Sequence, residues 1–205
     1  MKATLTQKRT KTKYLYFSLK YAKIGLMVIT FQGDDSFKVS QGELSLVINP
    51  KSKISADITL FNVGHEETSD KSGFVISGPG EYEIKDISVK GLLSYTNDKK
   101  INTVYVLNFE GVNLCFLGSL TDSELSSETL GQLEDIDILF APVSNYKLAV
   151  SLEPAIIIPT SYTPETLKKF LKETGEDDIK PLDKLVVKKK DLDGKEGEIV
   201  VLKEE

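Results

Sequence analysis

This chain has little of what metal and redox sites are built from. In 205 residues it holds one cysteine, Cys115, one histidine, His65, two methionines and no tryptophan. A single cysteine excludes any disulfide within the chain and any structural zinc site made of thiolates. It suits a reducing compartment, so a cytoplasmic location is expected. A single imidazole cannot supply the two or three that a catalytic zinc usually takes. No apolar run approaches the roughly 18 residues of a membrane-spanning helix, so no transmembrane segment is expected.

What remains is an ordinary globular composition, 40% hydrophobic and 28% charged, long enough to bury the core of one large domain. The net charge of −5 hides an asymmetry. Residues 1–26 carry Lys2, Lys8, Arg9, Lys11, Lys13, Lys20 and Lys23 and no acid, leaving 19 basic against 31 acidic residues beyond them. The acidic body repels phosphate backbones, and no nucleic-acid partner is expected. The basic leader lacks the apolar core and small-residue cleavage site of a secretory signal. Its expected state is a disordered extension, untied to the domain, with Met27 as an alternative start. The competing reading is that Tyr14, Tyr16, Phe17, Leu19 and Tyr21 among the lysines let it lie on an anionic surface.

From residue 27 to 205 the pattern is that of a single domain. Short β-rich runs at Val28–Phe31, Phe37–Val39, Leu44–Ile48, Ile58–Phe61, Phe74–Ser77, Glu81–Ile84 and Ile87–Leu93 are broken by turn residues. Gly78-Pro79-Gly80 reads as the turn between the fifth and sixth, and Asn49-Pro50 ends the third. Thr103–Phe109 and Val112–Leu117 flank Glu110-Gly111, the signature of a tight hairpin. Thr121 and Glu124 have capping-box spacing, and Leu125, Leu130 and Leu133 suggest one apolar helical face. Ile138–Ala141 and Ala155–Ile158 are near-continuous apolar runs of the kind buried on both faces. Between them only a short helix fits. Thr163 caps and Pro164 opens a helix over Pro164–Thr174, which Gly175 is placed to end. Leu185–Val187 and Glu198–Leu202 close the series around Asp193-Gly194. The fold class is α+β, a layered β-sandwich with helices outside.

The most functional-looking piece follows Ile58–Phe61, where Gly64-His65-Glu66-Glu67-Thr68-Ser69-Asp70 packs ligands and proton carriers just past a buried strand. A strand running into Gly-His-Glu, preceded by Gly33-Asp34-Asp35-Ser36-Phe37 and Asn49-Pro50, resembles the metallo-β-lactamase fold superfamily. Gly78-Pro79-Gly80-Glu81-Tyr82-Glu83, Leu117-Gly118-Ser119 and Ile158-Pro159-Thr160-Ser161-Tyr162 continue the likeness in order, closest to the ascorbate-phosphate-lactonase-like branch of metal-dependent hydrolases. The resemblance covers about residues 27–205 and implies a four-layer αββα sandwich. It also implies a first ligand motif His-x-His-x-Asp-His, where this chain has His65, Glu67, Ser69 and Asp70 in those places. Alignment with the family puts Thr96, Ser119 and Ser161 at the remaining ligand positions, and Phe116 at one that is often histidine. Of these seven ligand positions only His65 keeps its usual residue.

The family's chemistry needs zinc to lower the pKa of bound water from 15.7 to about 7. Hydroxyls are weak zinc ligands, so no dinuclear zinc and no cofactor is expected. The alternative is a single divalent ion, Mn²⁺, Mg²⁺ or zinc, on His65, Glu67 and Asp70, supporting a hydrolase. A Ser–His–Asp unit drawing on Ser119 or Ser161 has no Gly-x-Ser-x-Gly elbow beside it. Cys115, inside an apolar run, reads as a buried hydrophobe. The resulting expectation is a catalytically degenerate member of the fold, not an enzyme, binding a small molecule or a protein and able to form homo-oligomers.

Overall fold

A computed structural model of the chain describes residues 25–52, 54–64, 73–120 and 125–205. Among the described residues thirteen strands form two mixed sheets. The first sheet contains β1 (Met27–Phe31), β2 (Phe37–Gln41), β3 (Leu44–Ile48), β4 (Ile58–Leu60), β5 (Phe74–Ile76) and β12 (Leu185–Val187), in the order β12-β1-β2-β3-β4-β5. The second contains β6 (Gly80–Ile84), β7 (Ile87–Tyr95), β8 (Ile101–Phe109), β9 (Val112–Phe116), β10 (Ile138–Pro142), β11 (Ile156–Thr160) and β13 (Glu198–Ile199), in the order β13-β11-β10-β9-β8-β7-β6. Antiparallel hairpins build one half of each sheet and parallel crossovers the other: β3, β4 and β5 run parallel, as do β9, β10, β11 and β13.

The local sequence explains the hairpins. Glu110 (φ 52°) and Gly111 (φ 86°) both sit in the left-handed region, the conformation that matches a two-residue turn to the strand twist. In β1, Met27, Ile29 and Phe31 are buried while Val28 and Thr30 are half-buried, the period of two of a strand with one face on the core. β10 and β11 are buried at every residue, because one face meets the first sheet and the other a helical layer. Aromatic rings join the sheets: Phe37 meets Phe140 edge-on at 4.8 Å, and Phe140 stacks on Phe116 at 4.2 Å. Such pairs add roughly 0.5–1.5 kcal/mol each beyond the area they bury.

The described residues form three α-helices, α1 (Ser127–Leu130), α2 (Tyr146–Ser151) and α3 (Pro164–Thr174), of which α2, α3 and the flanks of α1 pack on the outer face of the second sheet. α3 has the expected bounds, with Thr163 and Thr166 bonding each other's backbone N–H at 2.8 and 3.3 Å and Gly175 at φ 76°. α2 follows a single 3₁₀ turn, Val143–Asn145, and is short, as the spacing requires. Two sheets and this helical layer make an α+β sandwich. Among the described residues no helix is long and apolar enough to cross a membrane.

Three expectations change. The helix read from Thr121 onward is one turn, α1, capped by Ser126 through the Thr129 N–H at 3.1 Å and closed at Gly131. Thr121 and Glu124 lie outside the described residues. So short a helix has no apolar face, so Leu125 and Leu133 are buried from its flanks while Leu130 is 38% exposed. Gly78-Pro79-Gly80 does lie between the fifth and sixth strands, but these belong to different sheets, so the turn carries the chain across the sandwich. β12 and β13 likewise belong to different sheets, and ladder pairing of the last segment stops at Ile199.

Candidate functional site

The carboxyl ends of β3, β4 and β9 and the β1–β2 loop meet at one end of the sandwich, and three asparagines hold them together. Asn49, past the end of β3 at φ 46°, donates through Nδ2 to Asp35 Oδ2 and to Asn62 Oδ1, both at 2.8 Å. Its Oδ1 accepts the Asn62 N–H at 3.0 Å. Asn62, just beyond β4, sends its own Nδ2 across the sandwich to the Thr103 carbonyl at 2.6 Å and toward that of Phe116 at 3.4 Å. Asn102 in β8 donates to Ser94 Oγ at 2.7 Å and the Leu117 carbonyl at 2.9 Å, and its Oδ1 accepts the Ser119 N–H at 3.0 Å. Ser94 Oγ returns a bond to the Asn102 carbonyl at 2.9 Å.

Asn62, Asn102 and Ser94 are buried, so each unsatisfied polar atom would cost about 1–3 kcal/mol. The network leaves both amides fully engaged. Gly118 is required beside it: at φ 66°, an added Cβ would fall 2.5 Å from Asn62 Cβ and Cγ and from Asn102 Oδ1. The half-buried Asp35 carboxyl is raised above the usual aspartate value, mainly by burial and next by the Asp34 charge, with Lys51 and the Asn49 bond opposing.

The candidate residues read from the sequence separate into groups. His65, Glu67, Ser69 and Asp70 lie outside the described residues. Ser119 is brought to the asparagine network, held through its backbone by Asn102. Ser161, past the end of β11 at φ 53°, is tied by its N–H to the Asp34 carbonyl at 3.0 Å, and Tyr162 beside it rests on Phe31. Thr96 belongs to the β7–β8 turn, its Oγ1 bonded to Asp98 and accepting the Lys100 N–H at 3.1 Å. Phe116 is core, stacked on Phe140. Cys115 is fully buried, its thiol pushed far above the ordinary range by burial alone. Among the described residues no group of three or more His, Cys, Asp or Glu side chains is placed to hold a metal ion.

Asn62, Asn102, Gly118 and Asp35 are the site residues that sequence reasoning missed. The apolar pattern did not mark Asn102, which is the second residue of β8 and precedes the run Thr103–Phe109 read from the sequence.

Comparison with known proteins follows from this geometry. A family profile described as a β-lactamase superfamily domain matches residues 28–161. The structure is similar to one provisionally described as a Zn-dependent hydrolase of the metallo-β-lactamase superfamily from Thermotoga maritima. That match has 22% identity, covers 86% of this chain and 98% of the other, and has a TM-score of 0.67. It is also similar to a metallo hydrolase from the archaeon Ignicoccus hospitalis, at 13% identity over 80% of this chain and 99% of that one, with a TM-score of 0.56. A protein provisionally described as a metal-dependent hydrolase from Parabacteroides distasonis matches at 20% identity over 74% of this chain and 90% of its own, with a TM-score of 0.53. At these identities the likeness establishes the fold. No curated protein matches the chain.

Proposed function

The chain belongs to the β-lactamase superfamily, whose fold it has from end to end of the described sandwich, and we propose that it is a binding or scaffolding domain working without the family's zinc pair. The observation that carries this reading is the closed, neutral amide network at the strand ends. A dinuclear zinc site gathers imidazoles and carboxylates because two dications need anionic, strongly donating ligands. Here the described strand ends present Asn49, Asn62, Asn102, Ser119 and Ser161, with Asp35 as the carboxylate bonded to Asn49. The amide oxygens of Asn62 and Asn102 already accept N–H donors from inside the protein. This donor set does not fit a zinc pair.

The motif order Gly33-Asp34-Asp35-Ser36-Phe37, Asn49-Pro50 and Leu117-Gly118-Ser119 supports a place beside the ascorbate-phosphate-lactonase-like branch. We read residues 27–205 as the working domain, His65, Glu67, Ser69, Asp70, Thr96, Ser119 and Ser161 as the vestige of the ligand set, and the compartment as cytoplasmic. The acidic body favours neutral or cationic partners over phosphorylated ones.

The test is the metal content of protein purified without chelators, measured beside its activity on phosphodiester, lactone and thioester substrates. The expected result is less than one metal ion per chain, a melting temperature that EDTA leaves unchanged, and no turnover. Stoichiometric metal that is lost with turnover in His65→Ala would overturn the reading. It would establish instead the rival one, a hydrolase using a divalent ion on His65, Glu67 and Asp70.

A further inference from the structure

A groove of about 550 Å³ opens beside the asparagine network, between the end of β7 and α1. That volume suits a small organic molecule. Its floor is aliphatic, made by the buried Leu92, Leu120 and Leu125. Tyr95, 49% exposed, stands on the strand wall, and the exposed Glu128 on the helix wall. Ser94, which also lines the groove, is bonded to Asn102, and Leu120 directly follows Ser119. The groove is therefore continuous with the strand-end network.

We propose that this groove is a site for an organic ammonium ion, an amine cation carried on a small apolar body. The inference rests on the reading of the domain as a binding module and names the class of ligand it would take. Charge decides the class. The described lining contains the carboxylate of Glu128, the phenol of Tyr95, hydroxyls and the Gln132 amide, and among the described residues no lysine or arginine. Glu128 makes no ion pair with another described residue, so its charge is available to a ligand. An anion entering would meet Glu128 with no cation to offset it. A purely apolar ligand would have to cover a carboxylate without pairing it, which is unfavourable. An ammonium group pairs with Glu128, and Tyr95 lines the same groove, where an aromatic ring adds to cation binding. The aliphatic floor takes the apolar body. An exposed carboxylate and one ring give modest affinity, so dissociation constants in the high-micromolar to millimolar range are expected.

The experiment is a nuclear magnetic resonance titration of the ¹⁵N-labelled full chain at pH 7 and low salt with 2-phenylethylamine. Phenylacetate, of similar body and opposite charge, is titrated in parallel. The expected result is saturable binding of the amine with shifts centred on residues 91–95 and 125–132, no saturation with phenylacetate, and affinity at least fivefold weaker in Glu128→Gln. Any one of three results would overturn the proposal: no saturable shift, equal response to the two compounds, or an unchanged Glu128→Gln affinity. Zinc is measured on the same samples. Tightly bound zinc would defeat the proposed function while leaving the groove standing, and absent amine binding in zinc-free protein would defeat the groove alone.

Discussion

Replacing Gly118 by alanine tests whether the asparagine network sets the local structure or merely decorates it. Two terms add. Holding a residue with a Cβ at φ 66° costs roughly 1–2 kcal/mol. The new Cβ would lie 2.5 Å from Asn62 Cβ and Cγ and from Asn102 Oδ1, whereas unstrained carbon contacts lie at about 3.5–4.0 Å. Asn62 cannot retreat by about 1 Å without loosening its bonds to Asn49 and the Thr103 carbonyl, and Asn102 cannot without losing the Ser119 N–H. One buried group so exposed costs about 1–3 kcal/mol, which brings the expected loss to roughly 2–5 kcal/mol. Gly111→Ala supplies the control. That glycine has φ 86° but nothing within 4 Å of the Cβ position, so only the backbone term applies, about 1–2 kcal/mol. In urea titrations at constant slope Gly118→Ala is expected to lose at least about 1 kcal/mol more than Gly111→Ala. In thermal melts it should fall by roughly 10 °C, at about 2–4 °C per kcal/mol for a chain of this size. Equal losses at the two glycines would refute the claim that the asparagine cluster is rigid.

Two further predictions concern carboxylates. Asp57 accepts both the N–H and the hydroxyl of Ser45 at 2.9 Å and pairs with Lys85. The Lys85 bond, followed by the Ser45 bonds, holds its carboxyl below the usual aspartate value. A lowered folded value means stability that is complete above about pH 4 and fades as pH falls through the folded value. Asp57→Asn should therefore be less stable by about 1 kcal/mol at pH 7 and indistinguishable from the parent near pH 2; a constant difference across that range in urea titrations would exclude the ion pair as its origin. Asn49→Asp would set a second carboxylate against Asp35, where the amide now donates at 2.8 Å. Two acids so close raise each other's values, so this variant should lose roughly 2–3 kcal/mol at pH 7, the cost of a buried unpaired group. It should recover part of that near pH 4 as one acid takes a proton, and a loss independent of pH between 4 and 8 would count against a like-charge effect.

Much of the fold was legible because its signals are local. Thr163, Pro164 and Gly175 fix α3 through contacts a few residues apart, and Glu110-Gly111 sets the β8–β9 turn by backbone conformation alone. Ile138–Ala141 reads as a strand buried on both faces from composition, and β10 contains it, one residue longer and buried throughout. What stayed hidden depends on distance along the chain. Whether Phe74–Ile76 and Gly80–Ile84 share a sheet is settled by which neighbours their edges meet, and turn residues say nothing of that. The same holds at the candidate site. Asn62 reads as the first residue of a polar loop, yet its side chain bonds the carbonyls of Thr103 and Phe116, 41 and 54 residues away. No spacing rule reaches so far.

The residue at 49 shows why this matters for function. The resemblance to the metallo-β-lactamase fold implies an aspartate at this position, before Pro50, and an ionised aspartate only accepts hydrogen bonds. Facing Asp35 in a partly buried place, such a pair would favour a cation or a proton between its members. An asparagine offers a donor and an acceptor at once. It gives its N–H₂ to Asp35 and to the Asn62 oxygen and takes the Asn62 N–H in return. The amide thus does, without charge, the joining that a counter-ion would do between two acids. Once Asn49 closes that contact, the described strand ends are joined there through bonds internal to the protein.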